Sequence, residues 1–453
     1  MIVESRFLRR NPLPFFDRER FNRVMKLSLP AALGAFVDML QVLIDLVMVG
    51  RLEVAATAAV GIGLQFTGLF YTIMGILYVG SNALMSRFLG GGEEAQASRV
   101  FSTFLLLSLA LAVPAVVLAA TFADLPFWLM NAGGRVGELG ETYLFVLAFA
   151  LPAMMINQIV FSAFSAHADI RTPLKIKIAM SFLNMAISYV LIFGAFGLPG
   201  FGVGGAAAGT VAAVWLESLI YARLMLAKKH PFAFLWVFDR ELTARGLKVG
   251  IPAGIERLLT YGSFLIFTRI IADFGTAVMA GYQVGLRIEG LAFMPGIGFT
   301  IAAMALTGRQ LGAKKPEEAE KDALFTALSA GVLMGLAGLL MVIFAHPLMA
   351  VFSDDAEAIA EGALYLQIVG LSQVPLGVAF VLSGAFRGAG DSRTSLKINL
   401  LSMWFFRIIP AVALAVWLQS VLFVWLVILF ETWVRAIWLF AVFRRGRWKS
   451  VKV

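Results

Sequence analysis

A single stretch narrows the choice of folds more than any other part of the sequence: residues Ala55 to Ser86 contain no Asp, Glu, Lys or Arg. About 20 apolar residues span a bilayer as an α-helix, so this stretch can cross a membrane and still tilt or project beyond it. Comparable apolar runs recur along the chain, in which 60% of the residues are hydrophobic and only 14% are charged. Soluble domains average about 25% charged residues. The sequence therefore predicts an all-α membrane protein.

Twelve transmembrane spans are predicted, at residues 28–50, 55–86, 97–123, 138–164, 172–194, 203–227, 246–272, 277–308, 319–345, 358–386, 394–417 and 420–443. Their orientation follows from the basic residues, because cytoplasmic segments are enriched in Lys and Arg. With the N-terminus inside, cytoplasmic segments and adjoining span ends hold 30 of the 37 Lys and Arg residues, and the periplasmic loops hold two. We expect a multi-pass protein of the inner (plasma) membrane with both termini in the cytoplasm. The net charge of +9 then reports topology, and no nucleic-acid partner is expected.

An internal repeat at an offset of 222 residues divides the chain into two halves. The offset pairs residues that apolar sequence seldom matches by chance: Pro30 with Pro252, Arg87 with Arg309, and Asp169 with Asp391. Each half contains six spans, an even number, so both halves enter the membrane in the same orientation. We predict two pseudosymmetric six-helix bundles, an N-lobe at 1–226 and a C-lobe at 253–453. Residues 227–252 are predicted to form a cytoplasmic linker and the start of the seventh helix.

Three segments of the chain, combined with the twelve spans and the duplication, carry a family resemblance. They are Leu43–Gly50 in the first span, Leu306–Ala313 after the eighth, and Phe386–Thr394 between the tenth and eleventh. Together they resemble the multidrug and toxic compound extrusion (MATE) family over nearly the whole chain. The resemblance implies two lobes arranged in a V. It also implies a secondary active exporter that exchanges organic, often cationic, compounds for sodium ions or protons by alternating access.

The resemblance also sets the expected partners. They are small-molecule drugs or toxic organic compounds and the lipid bilayer, with the protein as a monomer and with Na⁺ or H⁺ as the coupling ion in place of any cofactor. An alternative is a lipid-linked oligosaccharide flippase of the same superfamily. Its large anionic substrate would call for an arginine-rich cleft, and only Arg257, Arg269 and Arg287 could serve. No enzyme is predicted, because the sequence has no Ser–His–Asp set, metal-ligand cluster or cofactor fingerprint, and no catalytic residue is assigned.

The first span contains two acids, Asp38 and Asp45. Acids within a membrane span are costly and usually functional. Asp38, Gln41 and Asp45 are spaced i, i+3, i+7 and therefore share one helix face. At about 1.5 Å per residue, Asp38 lies about 12 Å and Asp45 about 22 Å beyond Pro30. We expect Asp38 and Gln41 to line a substrate cleft, and we place Pro30, Met39 and Met185 there too, although methionine is more often ordinary membrane core.

The resemblance implies a cation site inside the N-lobe. The family's acid matches Asp45, and its Asn, second polar residue and Thr match Asn184, Ser188 and Thr210. Ser188 departs from the Asp or Asn that family members can carry. One carboxylate with neutral oxygens suits sodium, for which Asp45, Asn184 and Thr210 are the expected ligands, and Asp45 alone could carry a proton. Without the family, an Asn and a Thr in helices are more often packing hydrogen bonds.

Glu256 and Glu289 are secondary candidates in the C-lobe. Some family members use an acid at the position of Glu256 together with one in the tenth span, where this chain has Leu376. We expect Arg257 beside Glu256, and Arg287 beside Glu289, to neutralise these acids locally. A further pair of residues four positions apart, Glu431 and Arg435, is expected to be structural.

Overall fold

The computed structural model describes residues 17–195, 197–226 and 232–451, and within these ranges the chain is helical with no strand. The helices are α1 (Arg18–Gly50), α2 (Val54–Gly90), α3 (Glu94–Thr121), α4 (Leu125–Leu129), α5 (Arg135–Ala148), α6 (Leu151–Ala166), α7 (Arg171–Phe193), α8 (Gly202–Leu226), α9 (Arg240–Ala272), α10 (Thr276–Gly312), α11 (Pro316–Ile343), α12 (Ala345–Ala350), α13 (Ala356–Gly370), α14 (Gln373–Gly388), α15 (Ser392–Leu401), α16 (Ile409–Leu418) and α17 (Val421–Arg444). A π-helical stretch, Ser402–Ile408, joins α15 to α16, and a 3₁₀ turn, Arg447–Ser450, follows α17.

The helices form the predicted twelve spans. In the described part of the chain, nine helical stretches are each long and apolar enough to cross a membrane, with α15 to α16 counted as one. Two more spans are bent pairs, α5 with α6 at 50° and α13 with α14 at 54°. The twelfth is α9, which is 33 residues long like α1 but has a less apolar middle, because Glu256 and Arg257 lie there.

The duplication is visible in the helix boundaries. The bounds of α1, α2 and α3 recur 222 positions later in α9, α10 and α11. Both bent spans break at equivalent places, since α6 begins at Leu151 and α14 at Gln373. The prediction of two pseudosymmetric six-helix bundles is thus confirmed, as an N-lobe (α1–α8) and a C-lobe (α9–α17). Their exact boundary stays a prediction, because residues 227–231 of the predicted linker lie outside the described residues.

The lobes meet at the end of the bundle where α1 begins and α17 ends, here called the basal end; the opposite end is the distal end. There α2 and α10 cross so closely that a Cβ on Gly90 would collide with the Arg309 carbonyl. Equally, a Cβ on Gly312 would collide with the Arg87 carbonyl. Glycine is required for such an approach because it has no Cβ. The two contacts are related by the repeat, so the pseudosymmetry axis passes between these helix ends.

Two arginines at this crossing bind the opposite lobe. Arg87 donates through Nη1 to the carbonyl of Ala389, at the end of α14, over 3.4 Å. Arg309 donates through Nη1 to the carbonyl of His167, at the end of α6, over 3.0 Å. Donors and acceptors are both related by the 222-residue repeat. Each arginine therefore caps unsatisfied carbonyls at the end of a helix in the other lobe.

The lobes separate toward the distal end. In α1, buried residues occur up to Gly34 and again only from Met48. Up to Gly254, α9 has buried residues on more than one side. Beyond Gly254 its buried residues lie along one side of the helix; they are Glu256, Ser263, Phe267, Ile270 and Ile271. Since α1 packs on α10 and α9 packs on α2, loss of burial in both helices opens a cleft between the lobes, from mid-helix to the distal end.

Candidate functional site

A ladder of polar contacts joins α1 to α7 inside the N-lobe. Lys177 Nζ donates to Asp38 Oδ2 over 2.7 Å, and Ser181 Oγ donates to Gln41 Oε1 over 2.8 Å. The partners differ by 139 and 140 positions, so the two helices run side by side in constant register. The same register places Asp45 at the level of Asn184. Asp38 and Gln41 therefore lie on one face of α1, as their spacing predicts, and that face contacts α7.

Three of the four predicted cation-site residues form one hydrogen-bonded group. Asn184 and Ser188 on α7 are fully buried. Asn184 Nδ2 donates to Thr210 Oγ1 on α8 over 3.4 Å, and Ser188 Oγ donates to Asn184 Oδ1 over 3.4 Å. Thr210 in turn donates to the Ala206 carbonyl over 3.3 Å. Neutral oxygens from two helices are thus gathered at one level of the lobe.

Asp45, the fourth member, is an acid without a hydrogen-bond partner among the described residues. Its Oδ1 is buried and makes no hydrogen bond within the described chain. The α1 residues around it, Ile44 and Met48 among them, pack into an apolar cluster that includes Tyr143 and Ala206. No described hydrogen bond joins Asp45 to Asn184, Ser188 or Thr210, although Ala206 lies one turn from Thr210. A carboxylate in apolar surroundings without a donor is strongly unfavourable in its charged form.

A second polar group in the same lobe joins α6 to α8. Asn157 Nδ2 donates to Glu217 Oε2 over 3.1 Å, and Ser218 Oγ donates to Asn157 Oδ1 over 2.7 Å. Lys177 is within electrostatic range of Glu217. Lys177 thus lies near two acids of the N-lobe, Asp38 and Glu217, and Asp45 is not one of them.

Lys177 was not predicted as a site residue, because its position near the end of a span placed it among the cytoplasmic basic residues. The signal was nevertheless present in the sequence. Lys177, Ser181, Asn184 and Ser188 follow one another at i, i+4, i+7 and i+11, which is one polar stripe on α7. The stripe complements the stripe on α1, and the two together predict a helix pair.

The expected neutralisation of the C-lobe acids by their sequence neighbours is wrong. Glu256 accepts hydrogen bonds from Arg387 over 2.6 Å, from Ser395 over 3.0 Å and from Asn399 over 2.7 Å. Arg257, next in sequence, points elsewhere because adjacent helical residues lie about 100° apart.

Glu289 likewise does not bind Arg287. It accepts from the Tyr365 hydroxyl over 2.5 Å and from Gln373 over 3.4 Å, while Arg287 is exposed. Glu256 and Glu289 therefore both face into the C-lobe.

The predicted pair Glu431 and Arg435 is confirmed, at 3.3 Å, and is part of a larger group. Arg407, in the π-helical stretch, binds Glu431 over 2.5 Å, and Ser402 donates to it over 2.8 Å. Three arginines, Arg387, Arg407 and Arg435, thus balance Glu256, Glu289 and Glu431. Only Glu361, on α13, has a buried carboxylate oxygen without a partner in the described C-lobe.

The predicted cleft residues lie in different surroundings. Asp38 lines the cleft, with 57% of its side chain exposed. Met39 Cε lies 3.5 Å from the position of a Cβ on Gly290 of α10, so it bridges the lobes. Pro30 is buried within α1, and Met185 is half-buried on α7.

The family follows from a direct match. The MatE family model matches residues 30–190 and again residues 252–413, two stretches that together exceed half of the chain and begin 222 positions apart. The chain belongs to the MatE family. The double match covers the first five spans of each lobe, so this MatE protein is a transporter whose family unit is present twice.

Relatives and solved structures agree over nearly the full length of this MatE protein. It is 24% identical to "Probable multidrug resistance protein NorM" of Thermotoga maritima, over 94% of this chain and 93% of that one. It is 28% identical to "Multidrug resistance protein NorM" of Burkholderia vietnamiensis, over 84% of each. An outward-facing multidrug resistance MATE family transporter of the MOP superfamily superposes with a TM-score of 0.88 at 23% identity, covering 96% of this chain and 97% of that one. A mutant of the Vibrio cholerae MATE transporter VcmN gives 0.88 at 20%, covering 94% and 97%. The structural matches establish the fold.

Proposed function

We propose that this MatE protein is a secondary active exporter, which exchanges small organic compounds for sodium ions or protons by alternating access. The names of its NorM relatives, which are multidrug resistance proteins, support the substrate class. The duplicated lobes and the cleft between them support alternating access, because parallel-repeat transporters bind substrate at the interface of their halves.

We place the coupling site at Asp45, and one observation carries this assignment. Asp45 has a buried oxygen without a partner in the described chain, while Lys177 of the same lobe is paired with Asp38. Asn184, Ser188 and Thr210 supply neutral oxygens at its level. A hard monovalent cation prefers such oxygen ligands, and a proton on Asp45 would satisfy the same uncompensated charge. Glu361 has an orphan oxygen too, but no hydrogen bond among the described residues gathers a comparable group of neutral side-chain oxygens around it.

Coupling in this proposal is carried by α1. Asp45 lies seven residues, about 10 Å, beyond Asp38, so one helix holds both the cation site and a wall of the cleft. Cation binding would draw the Asp45 carboxylate toward α7 and α8. Because α1 is unbroken from Arg18 to Gly50, the change would reach Asp38 and Met39 and alter the cleft.

The proposed orientation puts the basal end in the cytoplasm, because the basic residues of the chain cluster at that end. The cleft described above then opens to the outside. In this state a cation can enter from outside and a substrate can leave.

Efflux from proteoliposomes tests the proposal. The cationic dye tetramethylrhodamine methyl ester is loaded, and sodium and proton gradients are imposed separately. We expect at least one inward cation gradient to drive dye release, and dissipating that gradient with an ionophore to stop it. Dye movement that ignores both gradients would contradict coupled exchange.

A further inference from the structure

An apolar cavity of about 250 Å³, here called the distal cavity, lies in the distal half of the N-lobe. Its walls come from α2, α3 and α5, with α4 at its distal end and Leu151, the first residue of α6, at its base. Among the described residues that line it, only Thr67 has a polar side chain, and the Thr67 hydroxyl donates to the Gly63 carbonyl over 2.8 Å. Apolar cavities without free polar groups exclude water and take apolar ligands. The distal cavity therefore suits hydrocarbon.

The repeat explains why the N-lobe has space between α3 and α5. In the C-lobe, the equivalent helices α11 and α13 approach so closely that a Cβ on Gly338 would collide with the Gly370 carbonyl. The equivalent residues of the N-lobe are Val116 on α3 and Ala148 on α5. Their Cβ atoms exclude so close an approach, because only glycine permits it. The helices α3 and α5 must therefore lie further apart than their C-lobe counterparts at this level.

The C-lobe fills the equivalent space with its own side chains. Met341, which is equivalent to Ala119 in the wall of the distal cavity, is buried in the core of the C-lobe. Gln373, which is equivalent to Leu151, is fully buried and donates to Glu289 over 3.4 Å. The N-lobe has a wider helix spacing and a shorter side chain at position 119, so its own side chains do not fill the space.

The distal cavity is continuous with the surface that faces the bilayer. Residues 100–123, which include most of α3, contain no charged residue. The distal half of α3 is exposed around more than half of its circumference, at Val113 and Val117 among other positions. An uncharged, exposed helix of this length faces lipid hydrocarbon. Leu118 and Phe122 belong to this exposed surface and also line the cavity, so the cavity opens toward lipid.

The short helix α4 marks the depth of the cavity in the membrane. Trp128 on α4 is 74% exposed, and exposed tryptophans are enriched at the level of the lipid headgroups. Leu125 and Pro126 of the same helix line the distal end of the cavity. The cavity therefore begins directly below the headgroup level and extends to the depth of the acyl chains.

We propose that the distal cavity is a lipid site, which takes one acyl chain of a phospholipid from the distal leaflet. The chain would supply the apolar contacts that Met341 supplies in the C-lobe, and its headgroup would stay at the level of Trp128. A bound chain would hold α2, α3 and α5 at the spacing seen in the structure. Such a site goes beyond the export function and does not depend on the coupling ion.

Photo-cross-linking of the native protein in liposomes tests the site. The liposomes contain phosphatidylcholine with a diazirine midway along one acyl chain, and mass spectrometry of peptides locates the cross-links. We expect cross-links to the half-buried residues Phe70 and Leu144, which line the cavity, to be several-fold more frequent than cross-links to the exposed Val113. Cross-links that follow exposure alone, with Val113 labelled more than Phe70 and Leu144, would show ordinary lipid contact and overturn the site.

A variant that fills the cavity gives a second test. Ala119→Met introduces the methionine that the C-lobe has at position 341. It should lower cross-linking at Phe70 and Leu144 several-fold and raise the melting temperature in lipid-free detergent, because its side chain occupies the cavity. Added phosphatidylcholine should raise the melting temperature of the native protein more than that of the variant.

Ala110→Met is the matched control, because it adds the same side chain at an exposed position of α3. We expect it to leave the cross-links and the lipid-dependent stabilisation unchanged. Undiminished cross-linking at Phe70 and Leu144 in a folded Ala119→Met protein would contradict the site. Loss of these cross-links from the native protein on addition of tetramethylrhodamine methyl ester would make the cavity a substrate pocket instead of a lipid site. If Ala119→Met does not fold, the distribution of cross-links in the native protein decides alone.

Discussion

At the scale of single residues, the two lobes treat their buried acids differently. Glu256 has three hydrogen-bond donors, one of them Arg387, whereas Asp45 has a buried oxygen with none. The repeat underlines the contrast, because the position equivalent to Asp45 is Phe267 and the position equivalent to Glu256 is Gly34. Acids were thus placed independently in each half, one in a satisfied site and one in an unsatisfied site.

This difference predicts opposite phenotypes for two conservative variants. Asp45→Asn should abolish cation-driven efflux and leave thermal stability unchanged or raised, because it removes an uncompensated charge. Glu256→Gln should retain coupling but lower the melting temperature, because removing one partner of a buried ion pair leaves the other charge uncompensated, at a cost of about 3–5 kcal/mol. Dye efflux and thermal unfolding in detergent measure the two effects.

Glu361→Gln is the matched control, since it also removes an acid with a buried oxygen that lacks a partner. We expect it to keep coupled efflux. Loss of coupling in Glu256→Gln or Glu361→Gln, with Asp45→Asn still coupled, would place the cation site in the C-lobe instead.

At the scale of elements, the same helix pair is polar in both lobes. In the N-lobe, Lys177 of α7 binds Asp38 of α1. In the C-lobe, the position equivalent to Lys177 is Asn399, which binds Glu256 of α9 over 2.7 Å. The interface between the first and fifth spans of each half thus carries an acid and its donor, although the residue types have changed.

The sequence predicts the elements better than their pairings. Span positions and the duplication follow from apolar length and from the 222-residue offset, and both are confirmed. The face that carries Asp38, Gln41 and Asp45 follows from helical spacing. The pairing of Lys177 with Asp38 was not predicted, because a lysine near the end of a span usually reports only the orientation of that span in the membrane. Arg387, 131 positions from Glu256, could not be paired with it from sequence because the pairing depends on how α9 packs against α14 and α15.

The position of both sites on α1 predicts competition between cation and substrate. A cation at Asp45 and a dye at Asp38 would both act on the position of α1. By thermodynamic linkage, each would then lower the binding affinity of the other by the same factor. Ester affinity should fall about 5–150-fold as sodium rises or as pH drops, the range typical of coupled sites. Anisotropy titrations across sodium concentration and pH measure the change, and Asp45→Asn should flatten it. If the ester affinity of the native protein does not change with sodium concentration or with pH, coupling through α1 is excluded.

At the scale of the whole molecule, the contacts between the lobes are concentrated at the basal end. An apolar cluster of Tyr78, Val79, Ala83, Val249, Ala253 and Met304 is shared by α2, α9 and α10. Below it, Arg20 and Arg23 of α1 bind the fully buried Asp322 of α11 over 3.0 and 2.8 Å. The reciprocal arginines Arg87 and Arg309 complete the closure. The alternating access that we propose would require every one of these contacts to open in the opposite state.

The reciprocal arginines give this closure a test, because each caps a helix end in the other lobe. Replacing both, in Arg87→Gln with Arg309→Gln, removes two charged donors from carbonyls at helix ends and should shift the protein toward a basally open state. Ala83 is fully buried between the lobes, and the native chain has no cysteine, so Ala83→Cys reports opening by its rate of labelling with a maleimide in detergent. We expect slow labelling with native arginines and labelling at least several-fold faster in the double variant. Arg99→Gln, which removes an exposed arginine at the basal end of α3, should leave the rate unchanged. If the double variant labels as slowly as its parent, the apolar cluster and the Asp322 group hold the lobes together without the arginines.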